Sequence, residues 1–339
     1  MSKVSEVREK LYKHVAPNYA PLEFVERVGS GEWVYGIVEG EDGNDSWKSV
    51  LDLHTNYSAL GLGHRNPEIE ALLEERRKEK RIVLYSRGAG MSEELADLGE
   101  KLSRLSGTDM ILPKNAGTEG FDLAVKTSRL WGYKVKGIPE GRAEIIVCER
   151  NFHGRSDVAT AASSDEETRK RFGPHVEWAF RRILFGDLAA LEKALSVHDS
   201  KYIAAFIVEP IQAEAGVIVP PEGYIREARR LCRKYNALFI LDEVQTGLGR
   251  TGKMFCWQHD GEEAMPDGMI LGKALGGGFS KESVFVSSKE VLGLLTEGTE
   301  GSTFGGDPEG CAIAGKVLDI VSKPSFLKRV ETLGEEFIE

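Results

Sequence analysis

The sequence predicts an α/β domain with a mostly parallel central sheet and a smaller lobe beside it, and three observations lead to this class. Between about residues 108 and 290, short β-branched runs alternate with amphipathic stretches, as they do in successive βαβ units. The first hundred residues follow a different pattern. The chain has 339 residues, of which 41% are hydrophobic, so it can bury a large core and a second, smaller one.

In chain order, the first hundred residues predict a helix, a hairpin at EWVYGIVEGEDG and then charged helices. In the larger part, apolar runs predict strands at 144–149, 203–210, 237–243 and 268–273, with helices at 119–132 and 222–236. Further helices are expected from Pro308 to about Val321 and from Ser325 onward. We therefore expect an N-terminal segment with part of the small domain at 1–60, a large domain at 61–310 and the start of a C-terminal small domain at 311–339.

The composition favours a protein that acts on small molecules. The formal charge of −10 argues against nucleic acids and anionic membranes as partners, because both favour a basic surface. No apolar run approaches membrane-spanning length, and the N-terminus lacks the apolar region of a secretory signal. The cysteines are widely spaced and the histidines lack metal-like spacing, so we expect reduced thiols, a cytoplasmic location and no metal site.

The first candidate functional residues lie where two predicted strands end, since ligands of open α/β sheets bind at the carboxyl ends of strands. In LPKNAGTEG, Ala116, Gly117 and Thr118 open a helix whose free backbone N–H groups suit a phosphate. A simple turn is the alternative interpretation. Asp242 ends the apolar run ALFILDE, where a buried carboxylate needs a cation or an N–H donor. Its alternative role is to cap a helix.

Lys273 is the third strand-end candidate. It follows the apolar run GMILG and precedes a run of glycines, so we expect it in a confined pocket that lowers its pKa. Such a lysine suits Schiff-base formation and proton transfer. The alternative is a surface lysine beside a flexible turn. Asp242 and Lys273 are one βαβ-like step apart, so they can converge on one ligand.

The segment from Gly247 to Lys253 matches the G-x-x-x-x-G-K pattern of nucleotide triphosphatases, but its details argue against that function. Met254 stands where a magnesium-binding Ser or Thr is required. No strand is predicted directly before Gly247, and the acidic strand comes before the glycine loop instead of after it. We therefore do not expect an ATPase.

Four blocks, in this order, closely resemble class III pyridoxal-phosphate-dependent aminotransferases, and among them the ornithine-type enzymes: FIVEPIQAEAGV, LFILDEVQTGLGRTG, LGKALGGG and GSTFGGDPEGC. The resemblance runs from about Tyr19 to Cys311. It implies the PLP-dependent transferase fold type I and pyridoxal 5'-phosphate as cofactor. It also implies amino-acid and 2-oxo-acid substrates and a homodimer whose subunits share their active sites.

The resemblance assigns cofactor roles to individual residues. It implies that Lys273 forms the Schiff base, that Asp242 partners the pyridinium nitrogen and that Gln245 lies near the phenolic oxygen of the ring. The remaining residues that it places at the cofactor are the phosphate-binding turn Ala116, Gly117 and Thr118, the stacking aromatic Phe152, the packing or hydrogen-bonding His153, Glu209, and Ser302 and Thr303, which reach the phosphate of the neighbouring subunit.

The resemblance also implies a substrate site. The positions that match those of the ornithine-type enzymes are Tyr19, Tyr57, Arg155 and Glu214. Arg155 is expected to fork a substrate carboxylate. Without the resemblance, Arg155 is better interpreted as part of a surface ion pair and Tyr19 as a core residue. The implied reaction moves the terminal amino group of ornithine to 2-oxoglutarate.

The chain departs from the family pattern in places. Ser-Lys-Glu-Ser at 280–283 replaces the usual Tyr-Pro-Val-Ser, and EGFDLAVK replaces a more standard helix start, so the wall of the site is expected to differ. Family members continue past Glu339 into a C-terminal domain that supplies an arginine for the second substrate, and we expect this part to lie outside the sequence. Three alternatives stay open. The first is another class III aminotransferase, which acts on acetylornithine or another ω-amino acid. The second is aminomutation, racemisation or decarboxylation with the same cofactor, and the third is a chain that binds the cofactor with little turnover.

Overall fold

The computed structural model describes residues 2–197 and 201–338. The strands are β1 (Val25–Ser30), β2 (Trp33–Glu39), β3 (Asp45–Leu51), β4 (Met110–Lys114), β5 (Glu144–Cys148), β6 (Phe180–Ile183), β7 (Ile203–Val208), β8 (Leu238–Asp242), β9 (Gly268–Leu271) and β10 (Ser283–Ser287). The helices are α1 (Lys3–His14), α2 (Thr55–Ser58), α3 (Pro67–Lys78), α4 (Glu93–Ser106), α5 (Gly117–Trp131), α6 (Asp157–Ala162), α7 (Glu166–Arg169), α8 (Leu188–Ser196), α9 (Tyr224–Lys234), α10 (Lys289–Leu292), α11 (Pro308–Val321) and α12 (Pro324–Ile338).

The large sheet confirms the prediction of an α/β domain with a mostly parallel sheet. Within the described residues it has seven strands in the order β4-β10-β9-β8-β7-β5-β6. The neighbours from β9 through β6 run parallel, whereas β10 is antiparallel to both β4 and β9. All four predicted strands are present as β5, β7, β8 and β9.

The core of the large domain lies on both faces of this sheet. Every residue of β7 and β8 is buried, as expected for strands that helices cover on both sides. Helix α5 packs on β9 and β10, and Gly120 permits this close approach, because a Cβ atom there would lie 2.7 Å from Cγ2 of Ile270. Full burial of an Ile or Phe side chain contributes about 1.5–3 kcal/mol to the free energy of unfolding. The fully buried strands β7 and β8 therefore contribute much of the stability of the domain.

The N-terminal residues form a separate antiparallel sheet in the order β1-β2-β3. The predicted hairpin is confirmed, since β2 and β3 pair antiparallel from Trp33 opposite Leu51 to Glu39 opposite Asp45. Helix α1 packs against β2. Its N-terminus is capped by the Ser2 hydroxyl, which accepts a hydrogen bond of 3.0 Å from the backbone N–H of Ser5.

The topology brings the strand-end residues together. Strands β5, β7, β8 and β9 are parallel neighbours in one sheet, so the loops that follow them meet at one edge. The N-terminus of α5, which directly follows β4, reaches the same edge. Among the described residues, no helix combines the length and the apolar character that crossing a membrane requires.

Candidate active site

A pocket opens at the carboxyl edge of the large sheet, where the loops after β5, β7, β8 and β9 meet the start of α5. Nine residues predicted from the sequence line it together: Gly117, Thr118, Phe152, His153, Glu209, Glu214, Asp242, Gln245 and Lys273. They come from five separate segments of the chain. The fold therefore builds the pocket from most of the predicted cofactor residues.

A buried carboxylate and imidazole form one part of the pocket. Asp242 ends β8, is 5% exposed, and its Oδ2 atom lies 2.7 Å from Nδ1 of His153. Because an ionised carboxylate can only accept, the Nδ1–H of His153 is the donor. The imidazole also stacks on Phe121, with ring centroids 4.3 Å apart and planes inclined by 4°. These contacts fix the orientation of the Asp242 carboxylate.

Lys273 lies two residues beyond β9, in a short helical turn, with a φ of 45°. This left-handed conformation is rare outside glycine and is found preferentially at functional sites. Its Nζ donates a hydrogen bond to Oε1 of Gln245. Burial lowers the pKa of Lys273 from its ordinary value, although the negative charges of Glu214 and Asp242 act in the opposite direction. A lysine of this kind loses its proton more readily than one at the surface.

The start of α5 forms an anion-binding corner of the pocket. Gly117 and Thr118 are the first two residues of the helix, so their N–H groups have no partner within it. Gly154 has a φ of 116°, and a Cβ atom on it would lie 2.3 Å from Cβ of Thr118. Ala116 is the N-cap residue, and its backbone N–H donates to Glu119 Oε2 at 3.0 Å. Ala116 therefore shapes the corner from outside and does not line it.

Glu209 follows β7 and is 7% exposed. Its Oε2 accepts a hydrogen bond of 3.1 Å from the backbone N–H of Phe152, and this contact holds the loop that carries Phe152 and His153. Burial, followed by the negative charge of Asp242, raises the pKa of Glu209 well above its ordinary value. The site thus combines one carboxyl group that favours its proton with a second carboxylate bonded to an imidazole.

Two predicted cofactor residues lie outside the pocket of their own chain. Ser302 and Thr303 precede α11 and do not line the pocket. Ser302 is half-buried, and its Oγ accepts a hydrogen bond of 3.2 Å from Nδ2 of Asn115, next to the anion-binding corner. Thr303 is exposed. Within one chain, the structure therefore does not bring these residues to the other predicted phosphate contacts.

Three of the four predicted substrate residues lie outside the described lining of the pocket, and only Glu214 is part of it. Arg155 is exposed, and its Cζ lies 5.7 Å from the ring centroid of Phe152, which does line the pocket. Tyr57 is 45% exposed in α2, a left-handed turn next to the Lys273 turn. Tyr19 is 69% exposed. The interpretation of Tyr19 as a core residue is thereby excluded within this chain.

Sequence reasoning missed several residues of the pocket. Val244 and Thr246 flank the predicted Gln245, and Ile211 follows Glu209 by two positions. Their positions directly after β8 and β7 were the available signal, because residues just beyond a strand end share one edge of the sheet. The departure at 280–283 lies outside the described pocket lining, so the expected change of the wall is not found there.

Comparisons with known proteins agree with this geometry. Residues 16–339 match the family described as Aminotransferase class-III. An ornithine aminotransferase of Geobacillus sp. (strain WCH70) is 43% identical over 339 residues, which are 100% of this chain and 81% of that protein. The ornithine aminotransferase from Toxoplasma gondii ME49 superposes with a TM-score of 0.89 at 34% identity, over 99% of this chain and 76% of that one.

A second kind of enzyme is also similar. The acetylornithine aminotransferase from Elizabethkingia anophelis superposes with a TM-score of 0.82 at 39% identity, over 98% of this chain and 77% of that one. The family match begins near the N-terminus and includes every strand-end residue of the pocket. The chain therefore belongs to the class III aminotransferases, which depend on pyridoxal phosphate.

Proposed function

We propose that the chain is an ornithine aminotransferase, which transfers the terminal amino group of ornithine to 2-oxoglutarate. The observation that carries the proposal is the convergence of Asp242, Lys273 and the start of α5 on one pocket. The name of the Geobacillus relative, which is 43% identical over the whole chain, supports ornithine as the donor.

The residues of the pocket fit pyridoxal phosphate. Thr246 lines the pocket, and its buried hydroxyl has no hydrogen-bond partner among the described residues. The absence of a side chain on Gly154 leaves room beside Thr118, where the helix terminus attracts an anion. The buried Asp242 suits a cationic ring nitrogen, and Lys273 supplies an amine in the same pocket. The start of α5 therefore suits the phosphate of the cofactor, Asp242 suits its ring nitrogen, and Lys273 suits its aldehyde.

When bound, pyridoxal phosphate supplies a protonated ring that withdraws electrons from the substrate carbon that loses its proton. Asp242 would stabilise the positive charge of the ring nitrogen, because water only weakly screens the charge of a buried carboxylate. His153 donates to that carboxylate and keeps it oriented. Phe152 presents a partly exposed aromatic ring to the pocket, which suits stacking on the cofactor.

Lys273 is the residue that moves the proton. Its lowered pKa leaves a larger share of the amine neutral at a given pH, and only the neutral amine can accept a proton. Gln245 accepts a hydrogen bond from Nζ and orients the lone pair of the neutral amine. Lys273 therefore accepts the proton that leaves the terminal carbon of the donor and returns it in the later step.

The charges near the pocket favour a diamino acid as donor. Glu214 adds an exposed carboxylate to the lining, which attracts a substrate that carries two ammonium groups. Arg155 lies beside Phe152 at the surface, where its guanidinium suits the carboxylate of the donor. We propose that Tyr19 and Tyr57 complete this site from the N-terminal part. N-Acetylornithine lacks the second ammonium group, so it would gain less from the charge of Glu214.

We also infer a homodimer and a cytoplasmic location. Ser302 and Thr303 are implied phosphate ligands, yet they lie outside the pocket of their own chain, and a second copy of the chain would let them serve its pocket. The four cysteines are all buried and free, which agrees with a reducing compartment.

Acetylornithine transamination is the second candidate. The structure that bears this name is 39% identical to the chain, whereas the ornithine aminotransferase from T. gondii is 34% identical. The two functions differ in the α-amino group of the donor, which is free in ornithine and acylated in N-acetylornithine. A direct comparison of the two donors therefore separates them.

The test is a measurement of kcat/KM for ornithine and for N-acetylornithine, with 2-oxoglutarate as acceptor and glutamate formation as readout. We expect ornithine to be preferred by at least about tenfold, because Glu214 pairs with the free ammonium group. In Glu214→Gln, this preference should shrink. A preference for N-acetylornithine would establish the second candidate, and cofactor binding without glutamate formation from either donor would identify a chain with little turnover.

A further inference from the structure

The segment between α10 and α11 that carries Ser302 and Thr303 is seated tightly on the end of β4. We call residues 300–306 the phosphate loop. A Cβ atom on Gly305 would lie 2.8 Å from the carbonyl oxygen of Pro113, and one on Gly306 would lie 2.8 Å from Cγ of the same proline. Gly306 also has a φ of 88°, which favours glycine. The backbone of the loop therefore packs closely against Pro113 of β4 at two glycines that leave no room for a side chain.

A buried ion pair fixes the first residue of the phosphate loop. Nζ of Lys114 lies 2.6 Å from Oε1 of Glu300, and their side chains are 8% and 10% exposed. The same ammonium group donates to the carbonyl oxygen of Gly301 at 2.8 Å. Burial by itself would raise the pKa of Glu300, but the hydrogen bonds from Lys114 and Lys126 outweigh it and lower the pKa to about 2. Glu300 is therefore ionised at neutral pH.

The hydrogen bonds of Ser302 leave its hydroxyl as a donor. Its Oγ accepts from Nδ2 of Asn115 at 3.2 Å and from the backbone N–H of Gly305 at 2.9 Å. A hydroxyl has two acceptor sites and one O–H donor, so both acceptor sites are in use. No acceptor for the Ser302 O–H is found in the described parts of the chain, 2–197 and 201–338. The O–H is therefore free to donate to an anion held against the loop.

We propose that Lys114 is a positioning residue that sets the phosphate loop so that the Ser302 hydroxyl donates to the cofactor phosphate in the neighbouring subunit. The inference rests on the proposed function, in which the cofactor is shared across a dimer. Lys114 acts through Glu300 and the Gly301 carbonyl, which directly precede Ser302. It does not itself line the pocket.

The energetics of the pair support a geometric role. Burying two charges costs much of what their attraction returns, so a buried ion pair is weak support for stability. The Lys114 ammonium group does, however, bind the Glu300 side chain and the Gly301 carbonyl oxygen together, so it restrains two consecutive residues of the loop. Asn115 is the next residue, and its side chain bonds directly to Ser302. One strand end therefore determines both the course of the loop and the direction of its hydroxyl.

The experiment compares two forms of the cofactor. Wild-type protein is titrated with pyridoxal phosphate and with pyridoxal, and the ratio of the two Kd values measures the benefit of the phosphate group. In Lys114→Met we expect this ratio to fall about tenfold, since a charge-assisted hydrogen bond to the phosphate is weakened. The Kd for pyridoxal itself should stay near the wild-type value. Ser302→Ala should reproduce the same loss.

Lys126→Met is the matched control. Lys126 also binds Glu300, but its side chain is 56% exposed, and it makes no contact with the Gly301 carbonyl among the described residues. Its loss leaves both Lys114 contacts that position the loop in place, so the ratio should change by no more than about twofold. A second variant, Lys114→Met with Glu300→Met, also removes the buried carboxylate that has lost its buried partner. It should regain thermal stability relative to Lys114→Met while its Kd ratio remains low.

The outcomes separate the inference from the proposed function. If the double variant folds with a wild-type Kd ratio, Lys114 has a structural role only and the inference is wrong. If wild-type protein binds pyridoxal phosphate no better than pyridoxal, the proposed function fails instead. If the ratio of the two Kd values falls in Lys114→Met but stays at the wild-type value in Ser302→Ala, the role given to the Ser302 hydroxyl is wrong.

Discussion

Glu282 provides a prediction about stability that follows from one departure from the family pattern. It stands where the resembling sequences have valine, and it is 6% exposed next to Asp307. Its Oε1 would lie 1.9 Å from a Cβ atom on Gly310, so the side chain is enclosed by the start of α11. Burial, followed by the negative charge of Asp307, raises the pKa of Glu282 from 4.5 to about 8.

The raised pKa of Glu282 determines both the direction and the size of the change in the free energy of unfolding with pH. Between pH 4.5 and 8 the unfolded chain loses the proton of Glu282 while the folded chain keeps it, so the free energy of unfolding falls as pH rises. Each unit of pKa difference corresponds to about 1.4 kcal/mol, which gives a loss on the order of 4–5 kcal/mol above pH 8. Glu282→Gln has nearly the same shape and no proton to lose. It should therefore be more stable than wild type at high pH.

The assay is urea-induced unfolding of wild type and Glu282→Gln at several pH values and one protein concentration. The difference in the free energy of unfolding should be small below pH 4.5, grow through neutral pH and level off above pH 8. Glu290→Gln is the control, because Glu290 is exposed on α10 and should show no such trend. A difference that does not change with pH would refute the reasoning.

Three other substitutions test the site and the fold. Asp242→Asn keeps the acceptor for His153 but removes the charge, so kcat should fall by about a hundredfold or more with a much smaller change in cofactor affinity, which steady-state kinetics and titration separate. Gly154→Ala places a Cβ atom against Thr118 at a φ of 116°, so cofactor affinity measured by titration should fall. Arg76→Met removes the partner of Glu94 at 2.8 Å but leaves Arg81 at 2.7 Å, so the loss in urea unfolding should be that of one charge-assisted hydrogen bond, about 1.5–3 kcal/mol.

Much of the pocket could be predicted because strand ends are visible in the sequence. Asp242 and Lys273 each follow an apolar run, and parallel strands place such ends at one edge of the sheet. The start of α5 was visible for a similar reason, since Gly117 lies three residues after the end of β4 and opens an amphipathic stretch. Local patterns therefore identified the residues and the edge on which they meet.

Other features depend on contacts between distant residues and leave no local pattern. The bond between His153 and Asp242 joins residues 89 positions apart, and that between Lys114 and Glu300 joins residues 186 positions apart. Strand β10 follows β9 after only a short helical turn and pairs antiparallel with both neighbours, so the βαβ alternation in the sequence did not indicate it. Side-chain pairing of this kind requires the three-dimensional arrangement.

The central claim is that Lys273 holds the cofactor covalently, and borohydride reduction followed by peptide mapping tests it most directly. Reduction fixes the pyridoxyl group on the lysine that carries it, because the Schiff base becomes a stable amine. We predict a single label, on the peptide that contains Lys273, and loss of both label and turnover in Lys273→Ala. A label on another lysine, or turnover that survives in Lys273→Ala, would contradict the account.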